Sequence, residues 1–289
     1  VTNPFNMLTA LELLGAENYE IDSVTADAIK ADAPLLREAD KHELSRRFTR
    51  ILLTRNISGV MARFPEVFSA IEPELLKAQR YKERYYDSTL WEHISKSVEF
   101  APPQADIRYA MLFHNVGIPD CRCRDSHGNT FFYGHGEYGR ITAANFFEKY
   151  RVELKLRSDT DMLIESHDIS ITEDRTAVKR LLCEYSHEEL KKLIKLRIAD
   201  DMAKPTVHEG VIAMYRRTLT MLEDIIASGE CYSISQLAIK ENDLITHRLV
   251  ANKAQARAVI ESLYEAVLTE PSLNVAPILL DMVRKSVRR

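Results

Sequence analysis

Glycine and proline are scarce, with 9 and 10 among 289 residues. A sandwich or barrel of many short strands needs frequent turns built on those residues, so their scarcity argues against one. No alternating apolar–polar pattern persists along the chain either. Cysteine is also rare: Cys121, Cys123, Cys183 and Cys231. One Cys-x-Cys pair with two distant thiols is neither a disulfide framework nor a four-cysteine zinc site, so a reducing, cytoplasmic setting is expected. No run approaches the ~18–20 apolar residues that span a bilayer, and no secretory leader opens the chain, so no membrane role is expected. The chain begins at Val1 within helix-like sequence, which reads as a fragment or a processed piece. A strong charge of one sign is missing too. The formal net charge is −4, which excludes a global basic field for nucleic acid, so any RNA contact must use a local patch.

What is present is helical periodicity, and the length suffices for two or more packed helical bodies. "MLTALELLGA" opens the series. "DSVTADAIKADA" follows an Asp cap and breaks at Pro34. "DKHELSRRFTRILLT" spaces Leu44, Phe48, Ile51 and Leu52 along one face, and "NISGVMARF" ends before Pro65. After the polar stretch "RYKERYYDS", helices are expected over 89–101, 104–116, 135–151, 158–169, 173–185 and 187–203, with a loop over 117–134. A long helix over 207–228, short pieces over 233–247 and helices over 253–268 and 275–286 complete an all-α chain. Boundaries near 80 and 205 divide it into segments 1–80, 81–205 and 206–289.

Nine histidines are present. His42, His127, His187, His208 and His247 follow no pattern. His93, His114, His135 and His167 each stand at the end of, or within, an apolar helical run, and Asp200 in "LRIADDMAK" closes the series. Imidazoles with a carboxylate suit a borderline divalent ion: Mn, Fe, Co, Ni or Zn, with Mg less favoured. Such an ion acidifies a bound water and screens phosphate charge, and a bridging carboxylate lets two ions sit ~3.5–4 Å apart. The residue after His114 is Asn115, not aspartate. A carboxamide brings no charge and bridges two cations poorly, so a weak or absent metal is expected.

Histidine, His-Asp, further histidines and a late aspartate is the order of the HD superfamily of metal-dependent phosphohydrolases. "YYDSTLWEHISKSVEFAPPQADIRYAMLFHNVGIP" resembles more closely the HD region of bacterial CCA-adding tRNA nucleotidyltransferases and their poly(A) polymerase relatives. "FFYGHGEYGRITAANFFEKY", "IESHD" and "LRIADDMAK" are similar to later blocks of that family. "NPFNMLTALELLGAENYEIDSVTADAIKADAPLLR" resembles its neck, and "QLAIKENDLITHRLVANKAQARAVIESLYEAVLTEPSLN" its tail. The resemblance spans almost the whole chain. It implies an HD-like helical bundle flanked by a neck and a tail, and metal ligands at His93, His114, Asn115, His135, His167 and Asp200. It includes no counterpart of the Mg-ATP-binding head, which would have to lie upstream, so nucleotidyl transfer is not expected from this chain alone.

The departures follow a pattern. The family's neck Asp and three arginines fall on Asn3, Asn6, Thr9 and Glu12, whereas Met7, Leu8, Leu11 and Leu13 keep their apolar character. A Glu-Arg…Glu-Leu pattern in the next helix falls on His42-Glu43…Arg47-Phe48, and a His after Tyr falls on Tyr86. Core-building residues are kept and polar ones altered. The leading expectation is therefore RNA binding or processing, with tRNA as the partner the resemblance implies and no confident catalytic residue. The alternatives are a phosphohydrolase acting on a phosphomonoester or a 2′,3′-cyclic phosphate, and a catalytically silent interaction module. Candidate phosphate contacts are Arg46, Arg47, Arg50, Arg216, Arg217, Arg284 and Lys285, followed by Arg288 and Arg289. Tyr81, Tyr85, Tyr86 and Trp91 are candidates for base stacking but read more readily as packing at a junction. "CRCRDSHGN" offers thiols, a carboxylate and an imidazole, with chance the simpler reading.

Overall fold

The computed structural model describes residues 3–17, 19–81 and 88–287. The chain is all-α, with one two-stranded ribbon. In order come α1 (Phe5–Glu17), α2 (Ser23–Asp32), α3 (Lys41–Leu52), α4 (Ile57–Arg63), α5 (Pro65–Ile71) and α6 (Leu75–Arg80). Next are α7 (Leu90–Phe100), α8 (Ala105–Phe113), α9 (Ile118–Cys121), β1 (Cys123–Arg124), β2 (Thr130–Phe131), α10 (His135–Lys149) and α11 (Leu154–Glu165). Then follow α12 (Arg175–Glu184), α13 (His187–Met202), α14 (Glu209–Ser228), α15 (Glu241–Thr246), α16 (Lys253–Thr269) and α17 (Ala276–Val287). Tyr85, Tyr86, Arg288 and Arg289 lie outside the described residues.

Two compact units form. The first comprises residues 1–169 with 195–212, and the second 170–194 with 213–289. In the first unit α8 is the central helix. Its residues from Asp106 to Phe113 are all buried, as expected for a helix that is apolar nearly all round. Around it Phe48, Tyr109, Phe113, Phe146 and Phe147 form a continuous ring cluster. Tyr109 meets Phe147 edge-on at 5.1 Å, and Phe48 meets Phe146 at 5.8 Å. Trp91, read more readily as a packing residue than as a base-stacking one, packs against Phe68, and its indole N–H donates to the Met61 carbonyl at 3.2 Å.

Local sequence explains the helix starts. Thr89 accepts from the Glu92 backbone N–H while the Glu92 carboxylate accepts from that of Thr89, a capping box that sets the phase of α7. Asp40 caps α3 by accepting from Glu43 N at 2.8 Å. Pro65 does more than end the preceding helix: it is the first residue of α5, where its missing N–H costs nothing. In α1 the buried stripe is Met7, Leu8, Leu11 and Leu14, whereas Leu13 is 44% exposed. The segment 117–134 is not all loop. It contains α9 and the β1–β2 hairpin, paired Cys123 with Phe131 and Arg124 with Thr130. Gly139 lets α10 lie directly on the end of α8, since a Cβ there would collide with the Phe113 carbonyl. That contact brings the start of α10 beside the end of α8.

The second unit packs α15, α16 and α17 around Leu237, Ile239, Leu244, Ile260, Leu263, Val267, Leu268, Leu279 and Val283. Lys179 on α12 is buried and donates to the Leu268 carbonyl at 3.0 Å. Glu230 neutralises it and also accepts from Arg175 Nε at 3.1 Å. The Arg175 hydrogen bonds, with Lys179 behind them, hold the Glu230 carboxyl down at about 2, against an ordinary 4.5. A carboxyl depressed on folding stabilises the chain above its unfolded pKa and loses that contribution as pH falls through the folded value. Glu230→Gln should therefore destabilise the chain at neutral pH by roughly 2–3 kcal/mol. Urea midpoints should converge with the wild type between about pH 4.5 and pH 2. A gap that persists unchanged at the acid end would show that the carboxylate charge is not what stabilises.

Candidate metal centre

The four patterned histidines and Asp200 meet in the first unit, three of the histidines at helix ends. His114 is the residue after α8, His135 opens α10, and His167 follows α11. His93 lies within α7, and Asp200 lies near the end of α13. One local device sets three of the imidazoles. His114, His135 and His167 each donate Nδ1–H to the carbonyl three residues earlier: Met111 at 2.7 Å, Phe132 at 2.8 Å and Ile164 at 2.7 Å. For His114 and His167 the acceptor is a helix C-terminal carbonyl with no partner inside the helix. With the proton held on Nδ1, Nε2 carries the lone pair, the tautomer a metal ligand needs.

Two groups result. In the first, His93, His114 and Asp200 bring donor atoms within 4.8 Å of one another, all three residues buried. His93 Nε2–H donates to Asp200 Oδ1 at 3.0 Å. Burial outweighs that hydrogen bond and lowers the His93 pKa, so the ring is neutral. Burial pushes the Asp200 pKa up, but the contacts with His114 and His93 win and the carboxyl lies well below its ordinary range. Lys204 Nζ stands 3.5 Å from Asp200 Oδ2. Asn115 Nδ2 lies 2.7 Å from His114 Nε2 and caps its lone pair. This group is linked by the His93–Asp200 and Asn115–His114 hydrogen bonds, with His114 Nε2 also 3.3 Å from Asp200 Oδ1.

The second group, His135, His167 and Asp168, is arranged differently. Its two Nε2 atoms face each other at 3.1 Å, each with Nδ1–H already committed elsewhere. Two lone pairs at that separation repel unless a cation, or a proton taken up by one of the rings, lies between them. Two metal–nitrogen bonds of ~2.0–2.1 Å at a tetrahedral angle put their nitrogens roughly 3.3–3.4 Å apart, close to what is seen. Asp168 Oδ2 is 3.3 Å from His167 Nε2 and 3.6 Å from His135 Nε2. Arg197 anchors the edge by donating to the His167 carbonyl at 3.1 Å, with Asp168 Oδ1 at 3.4 Å. Burial, reinforced by His114, pushes His167 down to about 4, leaving it neutral and ready to ligate at ordinary pH. Gly136 makes room for this ring, since a Cβ there would sit 3.0 Å from His167 Cε1. The donor set thus fits a divalent cation at the second group better than at the first. The His114 and His167 rings are 5.6 Å apart, so the groups adjoin.

Every member of both groups is a ligand candidate from the sequence except Asp168, the last residue of "IESHD". Arg197 and Lys204 are not among the sequence candidates either. Their signals were their positions three residues before and four after Asp200, one helical turn to either side. In the Cys-x-Cys stretch, Asp125 accepts from His127 N at 2.8 Å and Asn129 N at 2.9 Å, closing the hairpin turn.

The candidate phosphate contacts are mostly engaged with carboxylates. Arg46 and Arg47 both bind Glu43, and Arg47 also donates to Thr9 Oγ1 at 2.8 Å. Arg50 pairs with Glu12, Arg217 with Glu173 and Lys285 with Asp281. Arg216 and Arg284 are exposed, with no carboxylate partner among the described residues. Among those residues no helix is long and apolar enough to cross a membrane.

No protein-family model and no curated protein matches the sequence. Among solved structures, the CCA-adding enzyme of Bacillus stearothermophilus, in complex with CTP, is similar with a TM-score of 0.57 at 14% identity. The match covers 99% of this chain and 62% of that one. The two share a fold, and this chain spans less than two-thirds of the other's length.

Proposed function

We propose that this chain is an HD-type phosphohydrolase that uses one divalent cation, held by His135, His167 and Asp168, on a phosphomonoester or 2′,3′-cyclic phosphate of RNA. The observation that carries this is the pair of facing Nε2 atoms at 3.1 Å, both tautomers set by backbone carbonyls. When bound, the cation supplies a Lewis acid for the phosphoryl group and an acidified water. The chain's own residues do the rest. His135 and His167 orient the site, and Asp168 offers a carboxylate oxygen to accept a proton. Arg197 positions Asp168 through a contact at 3.4 Å. The divisions at 80 and 205 belong to this reading as neck, body and tail, and so does a cytoplasmic setting. Nucleotidyl transfer is not part of it.

Purified protein should retain close to one equivalent of Mn, Fe, Co, Ni or Zn by elemental analysis, and turn over p-nitrophenyl phosphate or a nucleoside 2′,3′-cyclic phosphate. His167→Gln should lower cation affinity at least about tenfold and remove turnover, while His93→Gln should leave the cation bound. If cation content follows His93 and ignores His167, the assignment to the second group is wrong.

The fold shared with the CCA-adding enzyme favours a second reading, RNA binding without turnover. It predicts tRNA affinity that falls steeply with salt in a protein that holds no cation.

A further inference from the structure

The hairpin leading into α10 carries a feature that neither hydrolysis nor packing uses. Phe131 ends β2, and Tyr133 lies two residues on, in the turn that opens α10. Their rings stack in parallel, 5.4 Å apart and 8° from coplanar. Tyr133 is nevertheless 75% exposed, so the stack ends in an open aromatic face. The turn beneath is rigid: the Asp125 carboxylate accepts from two backbone N–H groups and from Asn129 Nδ2 at 2.8 Å, with Gly128 at φ 85°. The rings are therefore held out by hydrogen-bonded backbone. The partner strand brings Arg124, exposed, and Arg122 precedes it.

This presentation is joined directly to the candidate metal centre. Phe132, between the two rings, gives its carbonyl to His135 Nδ1–H. Tyr133 is two residues from His135, at most ~7 Å along the chain. A flat, open ring two residues from a candidate cation site matches a ligand with a planar π-face and an adjoining phosphate. An apolar peptide would use the rings and leave the cation site idle.

We propose that Phe131 and Tyr133 form a stacking platform for a base of single-stranded nucleic acid, setting its adjoining phosphate against His135, His167 and Asp168. This rests on the reading of that group as a phosphoester site, and names its substrate as a base-bearing strand.

Stacking needs no metal, so the test is run in EDTA as well as in Mn²⁺. Wild type, Tyr133→Ala and Tyr133→Phe are titrated with a labelled short oligoadenylate and with an abasic strand of equal length. The wild type should prefer the oligoadenylate by about five- to a hundredfold, the range for one stacked base. Tyr133→Ala should abolish that preference while leaving abasic-strand affinity, melting temperature and cation content unchanged, and Tyr133→Phe should keep it. Equal binding of the two strands by the wild type, or a preference that survives Tyr133→Ala, overturns the platform. Either result leaves cation content untouched, whereas a wild type without a cation sinks the hydrolytic reading and leaves the EDTA titration to judge the platform.

Discussion

Asn115→Asp should bind Mn²⁺ about ten- to a hundredfold more tightly than the wild type, and its melting temperature should become strongly cation-dependent. The amide nitrogen of Asn115 sits 2.7 Å from His114 Nε2 and occupies the lone pair that a cation would need. A carboxylate removes that N–H donor and adds a negative charge beside Asp200, itself 3.3 Å from the same nitrogen. At ~4 Å and an effective dielectric near ~20, each pair of unit charges is worth about 4 kcal/mol, more for a divalent ion. Desolvating the new carboxylate costs several kcal/mol of that. A net gain of about 1.4–2.8 kcal/mol, one to two powers of ten, is what remains. Without a cation the two buried carboxylates repel, so the metal-free variant should melt below the wild type and the Mn²⁺-loaded one above it. Titration calorimetry with melting curves in EDTA and Mn²⁺ measures both. Unchanged affinity together with an unchanged metal-free melting point would remove Asn115 from any ligand position.

That substitution marks how far the residues alone reach. The spacing of Leu44, Phe48, Ile51 and Leu52 announced α3, and the all-α class was legible from helical periodicity and scarce turns. Short elements escaped. α6 has only six residues, too few for a periodic signal, and two-residue strands leave none. The histidine series showed which imidazoles to follow, because each ended or punctuated an apolar run. It could not show that three of them share one tautomer-setting contact, since that depends on where each helix stops. Nor could it show that the set divides in two. The basic residues misled in a specific way. Arg47 reaches Thr9 and Arg50 reaches Glu12, so these cations of α3 are committed to polar contacts with α1. A charge count along the sequence cannot distinguish a paired arginine from an available one.

Arg108→Met should cost about 3–5 kcal/mol, a large fraction of the ~5–15 kcal/mol that holds a typical domain folded. Nothing in "ADIRYAMLF" flags this residue, which reads as one cation on an otherwise apolar helix. It is 3% exposed, and its burial lowers its pKa. The guanidinium is satisfied entirely by backbone: Nη1 donates to the carbonyls of Leu52 and, at 2.6 Å, Thr54, and Nε to that of Ala101 at 3.3 Å. Leu52 ends α3 and Ala101 follows α7, so one side chain caps two helix C-termini, where carbonyls lack partners and the dipole favours a cation. Methionine fills the volume but leaves those carbonyls buried and unpaired, at about 1–3 kcal/mol for each one water cannot reach. Lysine keeps the charge but cannot span both helix ends, so Arg108→Lys should fall between. Arg55→Met, on an exposed residue, should stay within about 0.5 kcal/mol of the wild type. Urea midpoints for the three variants decide the matter, and equal midpoints for Arg108→Met and Arg55→Met would show that the two helix ends do not depend on this guanidinium.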